Sequence, residues 1–260
     1  MHPTEPLALP PDEVHLWHAT LRDWDVAQIE RWRSLLSEDE GQRLERLAFD
    51  RLKHEYLLTR ALCRITLSRY WPSTGPAAWR FQRNAWGRPR AMVAPHGLLL
   101  DFNLAHSHGV VVMAVASPPR QVGVDVELVE RDCAAWDIAR RCFSQAERSG
   151  LESLPLARRV ERFFELWSAK EAYIKARGFG LSMPLDAFTV DIESGTGEGA
   201  TAAWLASVPP DDDPQLWALT LFDFPPRHKL ALCCRRSYRT ESVAVRWFPF
   251  APALRSCNLL

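Results

Sequence analysis

The stretch Val122–Val129, VGVDVELV, constrains the chain more than any other. Its strict alternation reads as a β-strand, because successive side chains point to opposite faces. Val122, Val124, Val126 and Leu128 share one face, and Gly123, Asp125, Glu127 and Val129 share the other. Two carboxylates therefore stand side by side in an apolar setting. Taken alone they are better explained by a solvated strand face, since alternating strands commonly meet water on one side. A ligand site accounts for them too, and the choice depends on what else the chain brings to that face.

The surrounding pattern mixes helices with antiparallel strands. Glu13–Leu21 alternates as a strand and is followed by a helix over Val26–Leu36. Ser37 to Glu40 has the S-x-x-E form of a capping box and opens a long helical stretch to Tyr70, stopped by Pro72. Trp79–Ala91 reads as strand, turn, strand, with Asn84–Pro89 as the turn. Leu98–Ala116 reads as two apolar strands joined at His106-Ser107-His108-Gly109. Ser117-Pro118-Pro119-Arg120 is a boundary signal. Beyond the carboxylate strand, helices are expected over Ala134–Cys142, from Ser144 (S-x-x-E again, to Glu147), and over Leu156–Arg177, ended by Gly178 and Gly180. Phe188–Ile192 reads as a strand, a strand pair flanks Pro225-Pro226, and Ser242–Phe250 adds one more.

This pattern predicts an α+β fold in two mixed halves, 1–119 and 120–240, with a C-terminal extension over 241–260. Lys plus Arg equals Asp plus Glu, so there is no basic excess of the kind a nucleic-acid binder shows. No apolar run reaches the length of a membrane span. The N-terminal stretch lacks the basic start and long apolar middle of a signal peptide. The six cysteines have no CxxC pair and no zinc-type spacing, so they read as reduced thiols of a cytoplasmic protein.

The helix over Leu156–Arg177 carries the second informative pattern. Val160, Phe163, Phe164, Trp167 and Ile174 form one apolar stripe, and Glu171 falls within it with Lys175 one turn later. An inward carboxylate is costly unless it is paired or binds a metal. An i,i+4 ion pair between Glu171 and Lys175 satisfies that condition. So does a shared site: Asp125, Glu127 and Glu171 brought together would repel without a cation. An all-oxygen set suits Mg²⁺, with Mn²⁺ as the alternative, and leaves positions for water and substrate phosphates.

Taken together, four ordered motifs resemble the 4′-phosphopantetheinyl transferases of the surfactin-synthetase-activating type. They are Asn84-Ala85-Trp86-Gly87-Arg88-Pro89, Phe102-Asn103-Leu104-Ala105-His106-Ser107, Gly123-Val124-Asp125-Val126-Glu127, and Trp167-Ser168-Ala169-Lys170-Glu171-Ala172-Tyr173-Ile174-Lys175. The resemblance runs from Leu36 to Val190. It implies two similar α+β halves about a pseudo-twofold axis with coenzyme A in the cleft between them. It implies Mg²⁺-dependent transfer of the 4′-phosphopantetheine arm of coenzyme A to a serine of an apo acyl or peptidyl carrier protein, releasing adenosine 3′,5′-bisphosphate. The carriers would belong to fatty-acid, polyketide or nonribosomal peptide synthases, which places the enzyme in secondary metabolism among other pathways. A chain of this length would act as a monomer.

The resemblance also assigns roles by position. Asp125, Glu127 and Glu171 match metal ligands, and Glu171 matches the general base. Lys175 matches a lysine on the pyrophosphate, and Lys170 matches a residue that contacts phosphate or positions Glu171. His106 and Arg88 match contacts to the 3′-phosphate and nucleotide of coenzyme A. The basic residue that the family often adds from the first long helix has Glu55 in its place, leaving Arg60 as the candidate. Ala105 replaces a serine frequent before the histidine. Two other readings use the same residues: a metal-dependent phosphodiesterase, and a non-catalytic module binding coenzyme A or a carrier protein. The first leaves the lysine-rich helix and the Gly-Arg-Pro turn unexplained.

Overall fold

The computed structural model describes residues 5–92, 100–130, 134–193 and 199–250. In chain order the elements are β1 (Glu13–Thr20), α1 (Val26–Arg31), α2 (Glu38–Glu45), α3 (Asp50–Tyr70), β2 (Arg80–Arg83), β3 (Pro89–Met92), β4 (Asp101–Ser107) and β5 (Val110–Ala116). They continue with β6 (Val122–Leu128), α4 (Ala135–Cys142), α5 (Gln145–Ser153), α6 (Leu156–Arg177), β7 (Thr189–Ile192), β8 (Ala200–Ser207), β9 (Trp217–Phe224), β10 (His228–Arg235) and β11 (Ala244–Pro249). No described helix is long and apolar enough to cross a membrane.

The chain divides into two compact units, one of Met1–Asn84, Pro89–Pro119 and Ala244–Leu260, the other of Ala85–Arg88 and Arg120–Val243. Each is a mixed helix-and-sheet unit in which one long helix lies on a largely antiparallel sheet. In the first, the sheet runs β11-β1-β5-β4. The tail read from sequence as an extension supplies β11, which pairs parallel with β1. Leu57, Leu58, Ala61, Leu62 and Ile65 of α3 pack with Trp17 of β1 and with Val111, Met113 and Val115 of β5. At the foot of this core the Tyr70 hydroxyl accepts from the Trp17 indole at 2.8 Å, so two large amphipathic side chains are buried without an unmet donor.

The expected single helix over Ser37–Tyr70 is instead two, α2 and α3, parted at Arg46–Phe49. The break has an electrostatic consequence. On one continuous rod Glu40 and Arg64 would lie about 36 Å apart at 1.5 Å per residue. With the break, Glu40 Oε2 accepts from Arg64 Nη2 at 2.6 Å and Nε at 3.0 Å, and its other oxygen pairs with Arg60. Arg64, fully buried, also donates to the carbonyls of Pro76 and Trp79.

The second unit has the sheet order β6-β10-β9-β8-β7, all neighbours antiparallel. β8, whose ATAAWLAS sequence is poor in β-branched residues, escaped sequence reading. Its pairing with β7 and β9 outweighs alanine's low strand preference. α6 crosses β6 and β10. Gly178 ends it in the left-handed conformation at φ 74°, its N–H bonded to Ile174 and Lys175 carbonyls. Asp212, between β8 and β9, ties that connection to the helix, accepting from the Tyr173 hydroxyl at 2.5 Å, Arg177 at 2.7 Å and the Trp217 indole at 2.9 Å.

Candidate active site

The carboxylate-bearing face of β6 is the one that takes α6. A Cβ built on Gly123 would lie 2.1 Å from the Ala172 carbonyl oxygen and 2.3 Å from the Ala176 nitrogen. The helix therefore passes directly over the Gly123 position. Asp125 shares that face and is buried, only 4% exposed. Neither a water-facing strand nor a plain apolar sheet describes it.

Helix periodicity then sets what Asp125 meets. Ala172 and Ala176 sit against the strand, which puts Glu171 and Lys175, one turn apart, at the edge of the same contact. Lys175 Nζ donates to Asp125 Oδ1 at 2.6 Å and approaches the Val124 carbonyl at 3.3 Å. Asp125 Oδ2 is buried with no hydrogen-bond donor. Burial raises the Glu171 carboxyl above its ordinary range; Lys175 opposes this and Asp125 adds to it. Burial works against the Lys175 charge, but Asp125, Glu171 and Glu127 outweigh it and hold the ammonium above its ordinary range. The structure thus brings Asp125, Glu127, Glu171 and Lys175 into one electrostatic group.

Among the described residues, no three His, Cys, Asp or Glu side chains are gathered closely enough to hold a metal unaided. The donor chemistry still fits Mg²⁺. That ion usually takes only one or two carboxylates, completing its shell with water and substrate phosphate. The orphaned Asp125 Oδ2 is the kind of buried acceptor that such a cation satisfies.

The other expected residues have partners of their own. Arg88 donates to the carbonyls of Lys175 at 2.6 Å, Ala176 at 3.0 Å and Val122 at 2.8 Å, closing the C-terminal end of α6 onto the start of β6. His106, on β4, shares a hydrogen bond of 2.7 Å between Nδ1 and Glu55 Oε1. Arg60 is bound to Glu40 and stacks over Phe81 at 4.7 Å. Lys170 is fully buried and donates to Glu147 Oε1 at 2.6 Å and the Phe188 carbonyl at 2.7 Å. It is not brought to the carboxylates of β6.

Sequence comparison gives the chemistry its family. A model of the 4′-phosphopantetheinyl transferase superfamily matches residues 121–233. The chain is 32% identical to the 4′-phosphopantetheinyl transferase HetI of Nostoc sp., over 80% of this chain and 87% of that protein. It is 30% identical to the 4′-phosphopantetheinyl transferase Sfp of Bacillus subtilis, over 83% and 89%. The chain belongs to the 4′-phosphopantetheinyl transferase family. It is an enzyme, and phosphopantetheinyl transfer is its reaction.

Two residues gain their importance in the transferase only from the structure: Gly123 beneath α6, and Glu147 in the core beside Lys170. Gly123 matters through a close backbone approach that only coordinates reveal. Glu147 appeared only as a capping residue. It does cap α5, accepting from the Ser144 N–H at 2.8 Å, but it also takes Lys170 and, at 2.8 Å, the Val190 N–H. Its role follows from that saturation. Glu147→Ala leaves the Lys170 ammonium buried and unpaired and is expected to cost about 3–5 kcal/mol, read by urea denaturation. The double change Glu147→Leu with Lys170→Met should recover most of it. Equal destabilisation by both variants would show that the pair is not the source of the loss.

Glu55 gives a pH dependence. Burial pushes its carboxyl up, but donation from His106 and from the Gly109 N–H, at 2.5 Å, outweighs this and holds it below the ordinary range. An acid depressed in the folded state contributes stability above its unfolded value, and loses it as pH falls through the folded value. The stability advantage of the native chain over Glu55→Gln should therefore be largest at neutral pH and shrink on acidification below about pH 4. A pH-independent difference in urea midpoints would exclude an ionised Glu55 as its cause.

Proposed function

We propose that the enzyme transfers the 4′-phosphopantetheine arm of coenzyme A to a serine hydroxyl of an apo acyl or peptidyl carrier protein, with Mg²⁺, releasing adenosine 3′,5′-bisphosphate when coenzyme A is the donor. The observation that carries this reading is the Lys175–Asp125 contact beside Glu171, with Asp125 Oδ2 left without a donor. It is a carboxylate group whose charge is offset by one ammonium, beside an acceptor suited to a cation.

Asp125, Glu127 and Glu171 are the residues that would hold the metal. When bound, Mg²⁺ neutralises the pyrophosphate charge as the P–O bond breaks. With a cation bound, Asp125 would be one of its ligands, and the Lys175 ammonium that now pairs with Asp125 would be available to the phosphate of the leaving group. Lys175 is well suited to this, since its neighbours keep it protonated despite partial burial. Glu171 takes the serine proton, its carboxyl raised toward the range in which a general base both holds and releases one. His106 is retained as the contact to the nucleotide end of the donor.

The decisive experiment incubates the enzyme with coenzyme A, Mg²⁺ and a panel of apo carrier proteins, and weighs the carriers. A mass gain of one phosphopantetheine, abolished by chelator, is expected. No gain on any carrier, with coenzyme A hydrolysed instead, would overturn the reading in favour of a phosphodiesterase.

Carrier recognition is proposed for α4 and α5. Trp136 and Ile138 are exposed at 38% and 36%, beside the exposed Arg140 and Arg141. A groove of about 340 Å³ is lined by Trp136, Arg140, Gln145, Arg148, Ser149 and Glu152. Phe143, just after α4, is buried against Phe163 and Trp167 and lies outside this surface. Arg140→Glu with Arg141→Glu should raise the carrier KM by about tenfold while leaving the coenzyme A KM unchanged. An unchanged carrier KM would place docking elsewhere.

A further inference from the structure

Lys229 of β10 is a buried lysine that the reaction does not call on, and it stands on the same face as the site. In the sheet register it is directly opposite Glu127 of β6 on one side and Asp223 of β9 on the other. Directly opposed residues share a face, so Lys229 lies beneath α6 beside the carboxylate strand. Its Nζ turns to three carboxylates: Asp223 at 2.5 Å, Glu161 at 2.7 Å and Glu165 at 3.0 Å. Glu161 and Glu165 are one turn apart on α6. Burial works against the ammonium, but hydrogen bonds to these three outweigh it and hold it above its ordinary range.

Stability alone does not require a charge there, since well-packed apolar side chains often replace a buried ion pair without loss. The glutamates have other partners as well: Arg158 lies 2.7 Å from Glu161 and Arg162 lies 3.2 Å from Glu165, both on the same helix. Asp223 is open to solvent. What the ammonium adds is direction. At its C-terminal end α6 is held by backbone contacts, at Gly123 and at Arg88. Lys229 holds the other half by its side chains, which gives it leverage against turning about the helix axis. At a side-chain radius of about 5–6 Å, a turn of about 10° carries the end of Glu171 by about 1 Å. An error of that size at a reacting group can lower a rate by about a hundredfold.

We propose that Lys229 is a positioning residue for the transfer step: by clamping Glu161 and Glu165 to the strands beside Glu127, it fixes the rotation of α6 that aims Glu171 at the carrier serine. This rests on the reading of Glu171 as the base. Every residue of the clamp and of the carboxylate group belongs to the second unit.

Kinetics of the full chain with Mg²⁺, coenzyme A and an apo acyl carrier protein test this. Lys229→Met, and separately Glu161→Gln with Glu165→Gln, should each lower kcat by about tenfold or more. The coenzyme A Kd, from calorimetry, should stay within about threefold of native. Because both variants break one clamp, all three changes together should lower kcat no further than either does. The glutamine pair leaves Lys229 its Asp223 partner, so it decides the matter if Lys229→Met does not fold. Leu205→Ala, which opens a cavity in the same core, is the control for general softening and should keep native kcat per folded molecule. Native kcat in the folded clamp variants, losses that multiply, or an equal loss in Leu205→Ala overturns the proposal. Where Glu171→Gln is impaired and the clamp variants are not, the proposal falls alone. Where Glu171→Gln also keeps native kcat, the reading on which it rests falls with it.

Discussion

Glu171→Gln is expected to lower turnover at saturating donor by at least about a hundredfold, the scale of a lost general base. The change is nearly isosteric, so it tests charge and proton affinity rather than packing. Glu171 is partly buried beside Asp125 and one turn from Lys175, and its carboxyl is raised by burial first and by Asp125 second. Glutamine cannot take the serine proton, and it offers a weaker oxygen to a cation. Both losses fall on the transition state, where charge develops, more than on the resting complex. Donor affinity, measured by calorimetry with Mg²⁺, should move much less than turnover. The two contributions separate by titrating the metal: a pure ligand defect recovers at high Mg²⁺, whereas a missing base does not. Full activity per folded molecule in Glu171→Gln would sink the assignment and leave Glu171 as the ion-pair partner of Lys175.

Gly123→Ala should be the most damaging single methyl in the second unit, at about 3 kcal/mol of lost stability. The added Cβ would stand 2.1 Å from the Ala172 carbonyl oxygen and 2.3 Å from the Ala176 nitrogen. Those are backbone atoms of a 22-residue helix, not the ends of flexible side chains, so the helix itself must move. Any such shift alters the separation of Asp125 from Glu171 and Lys175. Activity per folded molecule should therefore fall as well. Gly150→Ala is the control: nothing lies within 4 Å of its Cβ, and it sits inside α5. There alanine should stabilise by about 0.5–1 kcal/mol through its better helix preference. If both variants melt alike, the close approach at Gly123 is not what the residue secures.

Much of this was legible along the chain because it is local. Hairpin turns, capping boxes and the left-handed stop at Gly178 depend on residues within a few positions of each other, and the structure places them where alternation and periodicity put them. The ordered motifs carried the family for the same reason, as residue types at fixed spacing. What a side chain meets across space was not legible. The acidic start of α2 looked continuous with α3 until the buried Arg64 drew Glu40 onto it. Ser242–Phe250 read correctly as a strand, but nothing in it announced a parallel partner at β1, because a strand's pairing edge carries no local mark.

The candidate site divides along the same line. Sequence by itself determined which residues bear charge in the motif positions, and that Asp125 and Glu127 share a face. Tertiary structure alone decided which charges remain available. Lys170 and Arg88 look alike as phosphate ligands in a motif, but Lys170 pairs with Glu147 in the core, whereas Arg88 donates to backbone carbonyls at the end of α6 and keeps its charge. Lys175, of the same residue type as Lys170 and five positions later, emerges beside Asp125. A charge inside a protein must find a partner, and which partner lies within reach depends on how the helix is laid on the sheet; here Gly123 sets that contact.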